Sequence, residues 1–462
     1  SLSTLRWRVQ RFEARTNAFA CDAEAEKLAD STPLQLLELY RRFLDIRFRR
    51  WTDASLADTA AALSHAALKA LLRYRLDDDA ARNLPPTLLM AIPNVVSAGA
   101  VNSLWALSRR AREDSTLCEQ FRAAAGASEW TALYSALCNG AFPEFNEQFT
   151  QHIERWGFRV SGELMLHIAS YQEEPATLLP VIAGFMEVEG PSPQESTARQ
   201  AERRDAAVDK LSKKLGWRWT LVLRLALRTT QRSICYRERV RLKQALIYRR
   251  FRSVLLALGD HLVRQGQLAR PDDLLYLEWP ELDAWLSGNC MLPDTIPELV
   301  AVRRRAHLSQ SAHEVPDIVK LPPGEYLARE KRTPLVSESA NDLKGVGVSD
   351  LHLSDLKGVG VSGGRIRARA RVMAGLGEWD QFKKGEILVA RQTDPGWATL
   401  FFLASGLVME RGGMLSHGAI VAREFGIPAV IAVPHATDLI QTGETLLVDG
   451  DRGRVIREGV VT

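Results

Sequence analysis

Cysteine is scarce in this chain, and its distribution excludes several kinds of site. The 462 residues include five cysteines: Cys21, Cys118, Cys138, Cys235 and Cys290. None of them forms a CxxC pair or lies beside histidines, so the sequence predicts no zinc site and no other metal site. An odd, scattered set of cysteines is typical of reduced thiols, which favours a cytoplasmic location.

The chain also has a small net charge and few long apolar runs. The formal net charge of +4 is too small over this length to favour a nucleic-acid partner. The first fifteen residues carry arginines but no apolar core, so they do not form a signal peptide. The most apolar stretch, residues 84–101, contains three prolines, which favours a broken buried helix over a membrane span. We therefore expect neither nucleic acid nor membrane as a partner.

The residue composition and the spacing of apolar residues change twice along the chain. Residues 1–305 show apolar side chains at helical spacing, and residues 306–355 are rich in Pro, Ser, Gly and mixed charge, as linkers are. Residues 356–462 alternate short strand-like runs with turns. The sequence predicts a multidomain protein with a mainly α-helical N-terminal domain and a C-terminal β/α domain. The segment DLKGVGVS occurs twice, at 342–349 and 355–362, and its duplication has no functional explanation.

The segment GGMLSHGAIVAREFGIPAV, residues 412–430, is the most informative one. Ser416 is a predicted N-cap, and His417 opens a helix that ends before Gly426. The free N–H groups of a helix start favour an anion and disfavour an imidazolium, so His417 is a candidate nucleophile. A phosphate on its ring would lie among backbone donors, with Gly413, Ser416 and Gly418 as the candidate phosphate-binding residues. The alternative is that His417 is only a structural cap residue.

This segment and its surroundings resemble the phosphohistidine domain of the phosphoenolpyruvate-utilising enzymes, a family that includes rifampin phosphotransferase. The resemblance covers Leu356 to about Glu458 and includes GEILVARQTDPGWATLF and TGETLLVDGDRG. It implies a β/β/α swivelling domain in which His417 is phosphorylated. One departure is Leu415, where the dikinases carry a regulatory threonine.

The helical part resembles the acceptor domain of rifampin phosphotransferase. Residues 236–282 are similar to a stretch with an RExxK/R helix, which implies that Arg237, Glu238 and Arg241 face the site. Arg237 and Arg241 would neutralise the phosphoryl group and Glu238 would accept a proton. An ordinary surface ion-pair ladder is the alternative.

A second segment of the helical part, residues 154–166, resembles the GHRG…E stretch of the same family. Arg159 and Glu163 lie four residues apart in it and are candidate substrate-binding residues. Phe158 occupies the position where that family usually has a histidine.

The family charges its histidine from ATP in an ATP-grasp domain, with release of AMP and phosphate. The sequence contains no GxxxxGK[ST] and no β-rich nucleotide fold. The resemblance therefore implies that ATP and Mg²⁺ are bound by an ATP-grasp domain or subunit outside this chain.

Together these features predict an ATP-dependent, dikinase-type phosphotransferase component. His417 would accept a phosphoryl group, ultimately the ATP β-phosphate, and pass it to a hydroxyl of an organic acceptor bound in the helical domain. Two alternatives stay open: a regulatory phosphocarrier, and a phosphorylation-driven dehydratase or cyclase. A deep pocket beside Arg237 and Glu238 would favour the enzyme. A His417 ring packed in the interior without an opening would contradict a carrier role.

Overall fold

A computed structural model describes residues 2–76, 84–93, 95–96, 98–124, 126–291, 293–310, 354–375 and 381–458. The N-terminal part is helical. Its helices are α1 (Leu2–Asp22), α2 (Ala25–Ala29), α3 (Pro33–Leu44), α4 (Thr52–Arg75), α5 (Ala98–Glu113), α6 (Ser115–Ala123), α7 (Ala127–Cys138), α8 (Pro143–Trp156), α9 (Leu179–Met186), α10 (Pro193–Leu215), α11 (Trp217–Arg264), α12 (Trp279–Leu286) and α13 (Ile296–Gln310).

Several of these helices begin and end where local chemistry predicts. The side chain of Ser192 accepts a hydrogen bond from the Glu195 N–H at 3.1 Å, and Glu195 accepts one from the Ser192 N–H at 2.8 Å. This capping box starts α10. Helix α11 is 48 residues long, so it extends for roughly 70 Å at 1.5 Å per residue. The predicted helical character of the N-terminal part is confirmed.

The described residues 354–458, called the C-terminal domain from here on, combine strands with short helices. The strands are β1 (Asp355–Lys357), β2 (Val359–Ser362), β3 (Arg365–Met373), β4 (Ile387–Ala390), β5 (Gly406–Met409), β6 (Ala429–Ile431), β7 (Thr445–Asp449) and β8 (Arg454–Arg457). The helices are α14 (Ala398–Leu403), α15 (His417–Phe425) and α16 (Ala436–Leu439). The predicted β/α character is therefore confirmed.

The eight strands follow the order β1-β8-β7-β3-β4-β5-β6-β2. Strands β3, β4, β5 and β6 pair in parallel, whereas β7, β8, β1 and β2 pair antiparallel. The second copy of DLKGVGVS forms β1 and β2, which lie at the two ends of this order although only Gly358 separates them. The first copy, like most of the predicted linker, lies outside the described residues.

The C-terminal domain packs against the helical part through α15. Ile420 is fully buried in an apolar cluster with Leu68 of α4 and Leu223 of α11, and Leu415 packs against the same cluster. Leu415 thus makes an apolar contact at the position where the dikinases have a regulatory threonine. This packing fixes the position of the helix start that carries His417.

The chain divides into two compact units. The first contains Ser1–Asp30, Glu38–Ser253 and Leu353–Thr462, and the second contains Ser31–Leu37 and Val254–His352. The first unit therefore holds both the C-terminal domain and most of the helical part. In the second unit, Arg303 binds Glu281 at 2.8 Å. The predicted domain boundaries at residues 305 and 355 stay predictions.

The apolar stretch 84–101 is described only in part. Residues 84–88 are helical, and Leu88 and Leu89 are buried. Within the described parts of the chain, no helix has the length and apolar character that crossing a membrane requires.

Candidate active site

His417 is the first residue of α15, as the sequence predicts. The Ser416 hydroxyl accepts a hydrogen bond from the Ala419 N–H at 3.4 Å, and the Ser416 N–H donates to the Gly413 carbonyl at 2.8 Å. The helix ends at Gly426, whose φ of 69° is the left-handed conformation that glycine tolerates. Local capping therefore sets both ends of the helix and the place of the histidine.

The His417 ring is enclosed, with only 4% of the residue exposed. Its Nε2 atom is buried and has no hydrogen-bond partner among the described residues. Burial, and then the positive charges of Arg159, Arg241 and Arg237, hold the pKa of His417 well below its ordinary value of 6.5. The ring is consequently neutral at physiological pH, and an unprotonated nitrogen is free to act as a nucleophile.

The three arginines that act on the ring, Arg159, Arg237 and Arg241, are called the guanidinium cluster here. They come from two places in the helical part, because Arg159 follows α8 while Arg237 and Arg241 lie one turn apart on α11. The charges of three of the residues predicted by resemblance thus act on His417. Their catalytic roles stay predictions, but such a cluster would stabilise a phosphoryl group on the ring.

Within the guanidinium cluster the arginines differ in their partners. Arg237 donates to Asp58 Oδ1 at 2.9 Å and to Glu238 Oε1 at 3.0 Å. Burial, with Arg241 as the next cause, lowers the pKa of Arg237. Glu238 is only 5% exposed, so the pair is not the exposed surface ladder considered as the alternative. Among the described residues, the Arg241 side chain makes no hydrogen bond or ion pair.

Arg159 forms a buried ion pair with Glu163. The Nε atom of Arg159 donates to Glu163 Oε1 at 2.8 Å, with about a tenth of each side chain exposed. Burial raises the pKa of Glu163, while the charge of Arg159 and its hydrogen bond oppose that rise. The neighbouring Phe158 is buried, so an apolar ring occupies the position where the related family usually has a histidine.

The predicted phosphate-binding residues surround the start of α15 without forming an open cradle. A side-chain carbon at Gly418 would lie 2.7 Å from both Met409 Cε and Thr393 Oγ1. Gly418 is therefore needed for close packing of the helix start. At Gly413 an added carbon would meet no atom within 4 Å. Phosphate binding by Gly413, Ser416 and Gly418 stays a prediction.

Two carboxyl groups at this interface were not singled out from the sequence. Asp394 lies in the TDPGW segment and Glu424 in the VARE segment, and both segments are part of the resemblance described above. Glu424 accepts a hydrogen bond from the Ile92 N–H at 3.1 Å. Burial raises the pKa of Glu424 to about 7. Their place in these two segments was the sequence signal that could have singled them out. The neighbouring residues in the sequence do not show which atoms the carboxylates contact.

A cavity of about 350 Å³ lies beside the site. It is bordered by Ser161 and Tyr171 of the helical part and by Gly396 and Leu400 of the C-terminal domain. His417, Arg237 and Glu238 are not among its lining residues. The predicted pocket beside Arg237 and Glu238 is therefore not this cavity. Within the described ranges, no group of three or more His, Cys, Asp or Glu residues is placed to hold a metal ion.

Two family models match the chain. The mobile domain of PEP-utilising enzymes matches residues 382–453, which include His417. The fourth domain of rifampicin phosphotransferase matches residues 54–238, which include Arg159, Arg237 and Glu238. The two matches thus cover both sides of the site.

Curated relatives agree with these matches. A rifampicin phosphotransferase of Streptomyces sp. is 31% identical over 68% of this chain and 34% of its own length. The prodigiosin synthesizing transferase PigC of Serratia marcescens is 31% identical over 68% of this chain and 33% of its own length. An uncharacterized protein of Mycobacterium tuberculosis is 29% identical over 95% of this chain and 45% of its own length.

The chain spans about a third of the length of the first two relatives and under half of the third. Within that span, the order of helical part and C-terminal domain is the one that the resemblance predicts. The chain therefore belongs to the phosphoenolpyruvate-utilising enzyme family and joins that family's mobile domain to a helical domain of the rifampicin phosphotransferase type.

Proposed function

We propose that this chain is the phosphohistidine and acceptor part of a phosphotransferase. His417 accepts a phosphoryl group and passes it to a hydroxyl group of an organic acceptor. The observation that carries the proposal is the unpaired, neutral Nε2 of His417 under the charges of the guanidinium cluster. A residue that only caps a helix needs neither a buried unpaired nitrogen nor three cationic charges acting on it.

The charging step uses a donor outside the described residues. The phosphoryl group originates from the β-phosphate of ATP, with ATP and Mg²⁺ held by an ATP-grasp domain or subunit. His417 is packed in the interior, the arrangement that contradicts a carrier held permanently in this position. A carrier role therefore requires that the C-terminal domain leave this position to be charged, and that the acceptor enter before the domain returns. On return, the phosphohistidine places its negative charge among Arg159, Arg237 and Arg241.

The transfer step needs positioning and charge neutralisation more than covalent chemistry. The acceptor oxygen attacks the phosphorus, the N–P bond breaks, and its electron pair returns to the imidazole. Glu238 takes the hydroxyl proton, which requires it to loosen its ion pair with Arg237. The acceptor is a hydroxyl-bearing, antibiotic-like compound, a class suggested by the similarity to rifampicin phosphotransferases.

Charging is tested by incubating the chain with β-labelled ATP, with and without an ATP-grasp partner. Acid-labile label is expected on the wild type and on His435→Ala, a control histidine of the same domain whose side chain is 51% exposed. His417→Ala should remain unlabelled. Label that persists on His417→Ala would remove the assignment of His417.

Transfer is tested with the labelled chain and rifampicin as the first acceptor. A product heavier by one phosphoryl group supports transfer to a hydroxyl. An acceptor altered by loss of water, with free phosphate released, indicates the dehydratase or cyclase alternative. Charging of His417 without consumption of any hydroxyl compound indicates the regulatory phosphocarrier.

A further inference from the structure

Asp394 of the C-terminal domain is bound by backbone and side-chain donors of the helical part. Its Oδ2 atom accepts hydrogen bonds from the Ser161 hydroxyl and the Gly162 N–H, both at 2.8 Å. Its Oδ1 atom accepts one from the Gly396 N–H at 3.0 Å, within its own domain. One carboxylate thus joins two segments that are 232 residues apart in the chain.

The backbones of the two segments meet at the same point. A side-chain carbon on Gly396 would overlap the Ser161 nitrogen and would lie 2.9 Å from both Ser161 Cα and the Val160 carbonyl carbon. Real side-chain carbons do not come this close to backbone. The contact therefore requires glycine at position 396.

The segment that Asp394 binds is the one that carries Arg159. Ser161 and Gly162 lie between Arg159 and Glu163, which form the buried ion pair. Arg159 is the first of the charges that act on the His417 ring, and its charge also acts on Asp394. Asp394 is therefore an electrostatic neighbour of the site without being one of the groups that act on the ring.

We infer that Asp394 is a positioning residue, which fastens the C-terminal domain to residues 161–162 so that the charge of Arg159 continues to act on His417. The inference rests on the proposed function, because the positioning matters only if His417 transfers a phosphoryl group under the charge of Arg159. Two donors to a single carboxylate oxygen make a directional contact, and charge-assisted hydrogen bonds are stronger than neutral ones. If the C-terminal domain docked at another place on the helical part, Arg159 would no longer act on His417.

The docking itself can be measured without phosphate chemistry. Diethyl pyrocarbonate acylates unprotonated imidazole, and the enclosed His417 can react only when the C-terminal domain separates. We would measure the modification rate of the His417 peptide by mass spectrometry in the full chain, with the exposed His435 as an internal reference.

Asp394→Ala should raise the His417 modification rate at least about tenfold, because it removes two hydrogen bonds to a charged group. Gly396→Ala should raise it by at least about the same factor, because the added carbon would overlap the Ser161 backbone. Asp394→Asn should lie between the wild type and Asp394→Ala. It keeps an acceptor for Ser161 and Gly162 but can turn an amide donor toward the Gly396 N–H. Thermal melting checks that each variant is folded.

Matched controls are available in the same domain. Glu458→Ala removes a carboxylate that pairs with Arg367 inside the same domain, and Gly375→Ala adds a carbon that meets no atom within 4 Å. Both should leave the His417 rate unchanged. Unchanged rates in folded Asp394→Ala and Gly396→Ala would overturn the inference.

Single-turnover transfer from phosphorylated His417 supplies the second measurement. Asp394→Ala should slow transfer to the acceptor while charging by the donor stays at the wild-type rate or rises. Wild-type transfer in a variant that docks poorly would also overturn the positioning role. If modification rates respond as expected but His417 never becomes phosphorylated, the proposed function fails while the docking contact stands.

Discussion

Phe402 offers a direct test of how tightly the C-terminal domain is docked. Its ring lies on α14 and contacts two rings of the helical part, Trp105 at 5.1 Å and Phe185 at 5.6 Å between centroids. The Phe185 contact is stacked and the Trp105 contact is edge-to-face. The substitution Phe402→Ala removes both contacts. We expect it to shift the docking equilibrium toward the separated state.

The size of the shift follows from the two ring pairs. Aromatic pairs in these geometries contribute about 0.5–1.5 kcal/mol each beyond the buried area, so losing both costs about 1–3 kcal/mol. A change of about 1.4 kcal/mol is tenfold in an equilibrium constant. The separated fraction should therefore rise between about fivefold and a hundredfold.

The assay is again the rate at which diethyl pyrocarbonate modifies His417. When opening and closing are fast relative to modification, this rate follows the separated fraction. Phe402 also contacts Phe425 at 5.4 Å inside its own domain. For that reason Trp105→Ala, which leaves the C-terminal domain intact, is the necessary companion variant.

The double variant decides whether the Trp105–Phe402 contact is responsible. A coupling of about 0.5–1.5 kcal/mol between the two substitutions is expected for an aromatic pair in contact. Strictly additive effects, or a His417 rate that Phe402→Ala does not change, would refute the reasoning.

Three further predictions concern the site and its supports. Arg159→Gln should slow single-turnover transfer from His417 by roughly 10²–10³, and NMR titration should show the His417 pKa rising toward 6.5. The pKa of Glu424 is about 7 in the folded chain against an ordinary 4.5. Its contribution to stability is therefore full below pH 4.5 and is lost as pH rises through 7, by about 3 kcal/mol. In urea unfolding between pH 4.5 and 8, the free energy of unfolding should fall by about that amount less in Glu424→Gln than in the wild type. Gly426→Ala should lower the melting temperature, because φ is 69° and the added carbon would overlap the Gln200 amide.

The ends of α15 could be predicted from the sequence because the signals are local. Ser416 caps the helix through a hydrogen bond to a residue three positions ahead, and Gly426 takes a conformation that most residues avoid. The place of His417 at the helix start follows from these two neighbours. Helix caps can be predicted from the sequence because they depend on a few consecutive residues.

The surroundings of His417 could not be predicted in that way. The charges of Arg159 and Arg237 act on the ring only after α8 and α11 have packed together with the C-terminal domain. Spacing placed Arg237 and Arg241 on one helix face, but only the family resemblance directed that face toward the histidine. The enclosure of the ring depends on the same packing, so the sequence did not reveal it.

The contacts of Asp394 and Glu424 could not be predicted from sequence patterns. Each looks like an ordinary charged residue at a turn or a helix end. Their partners, the Gly162 and Ile92 N–H groups, are backbone atoms and carry no sequence signature. Contacts of this kind become visible only when the tertiary structure brings the segments together.

The placement of β1 and β2 affects how readily an isolated C-terminal domain could pair its sheet edges with other chains. Because Gly358 alone separates them and they lie at opposite ends of the strand order, the sheet must curl until its two edges meet. A side-chain carbon at Gly358 would lie 2.5 Å from the Ile431 carbonyl oxygen, so the closure is tight. An open sheet edge invites pairing with other chains and aggregation, and very short edge strands reduce that hazard. The edge strands β1 and β2 have only three and four residues. If the C-terminal domain separates as proposed, it would expose only these two short edges to its surroundings.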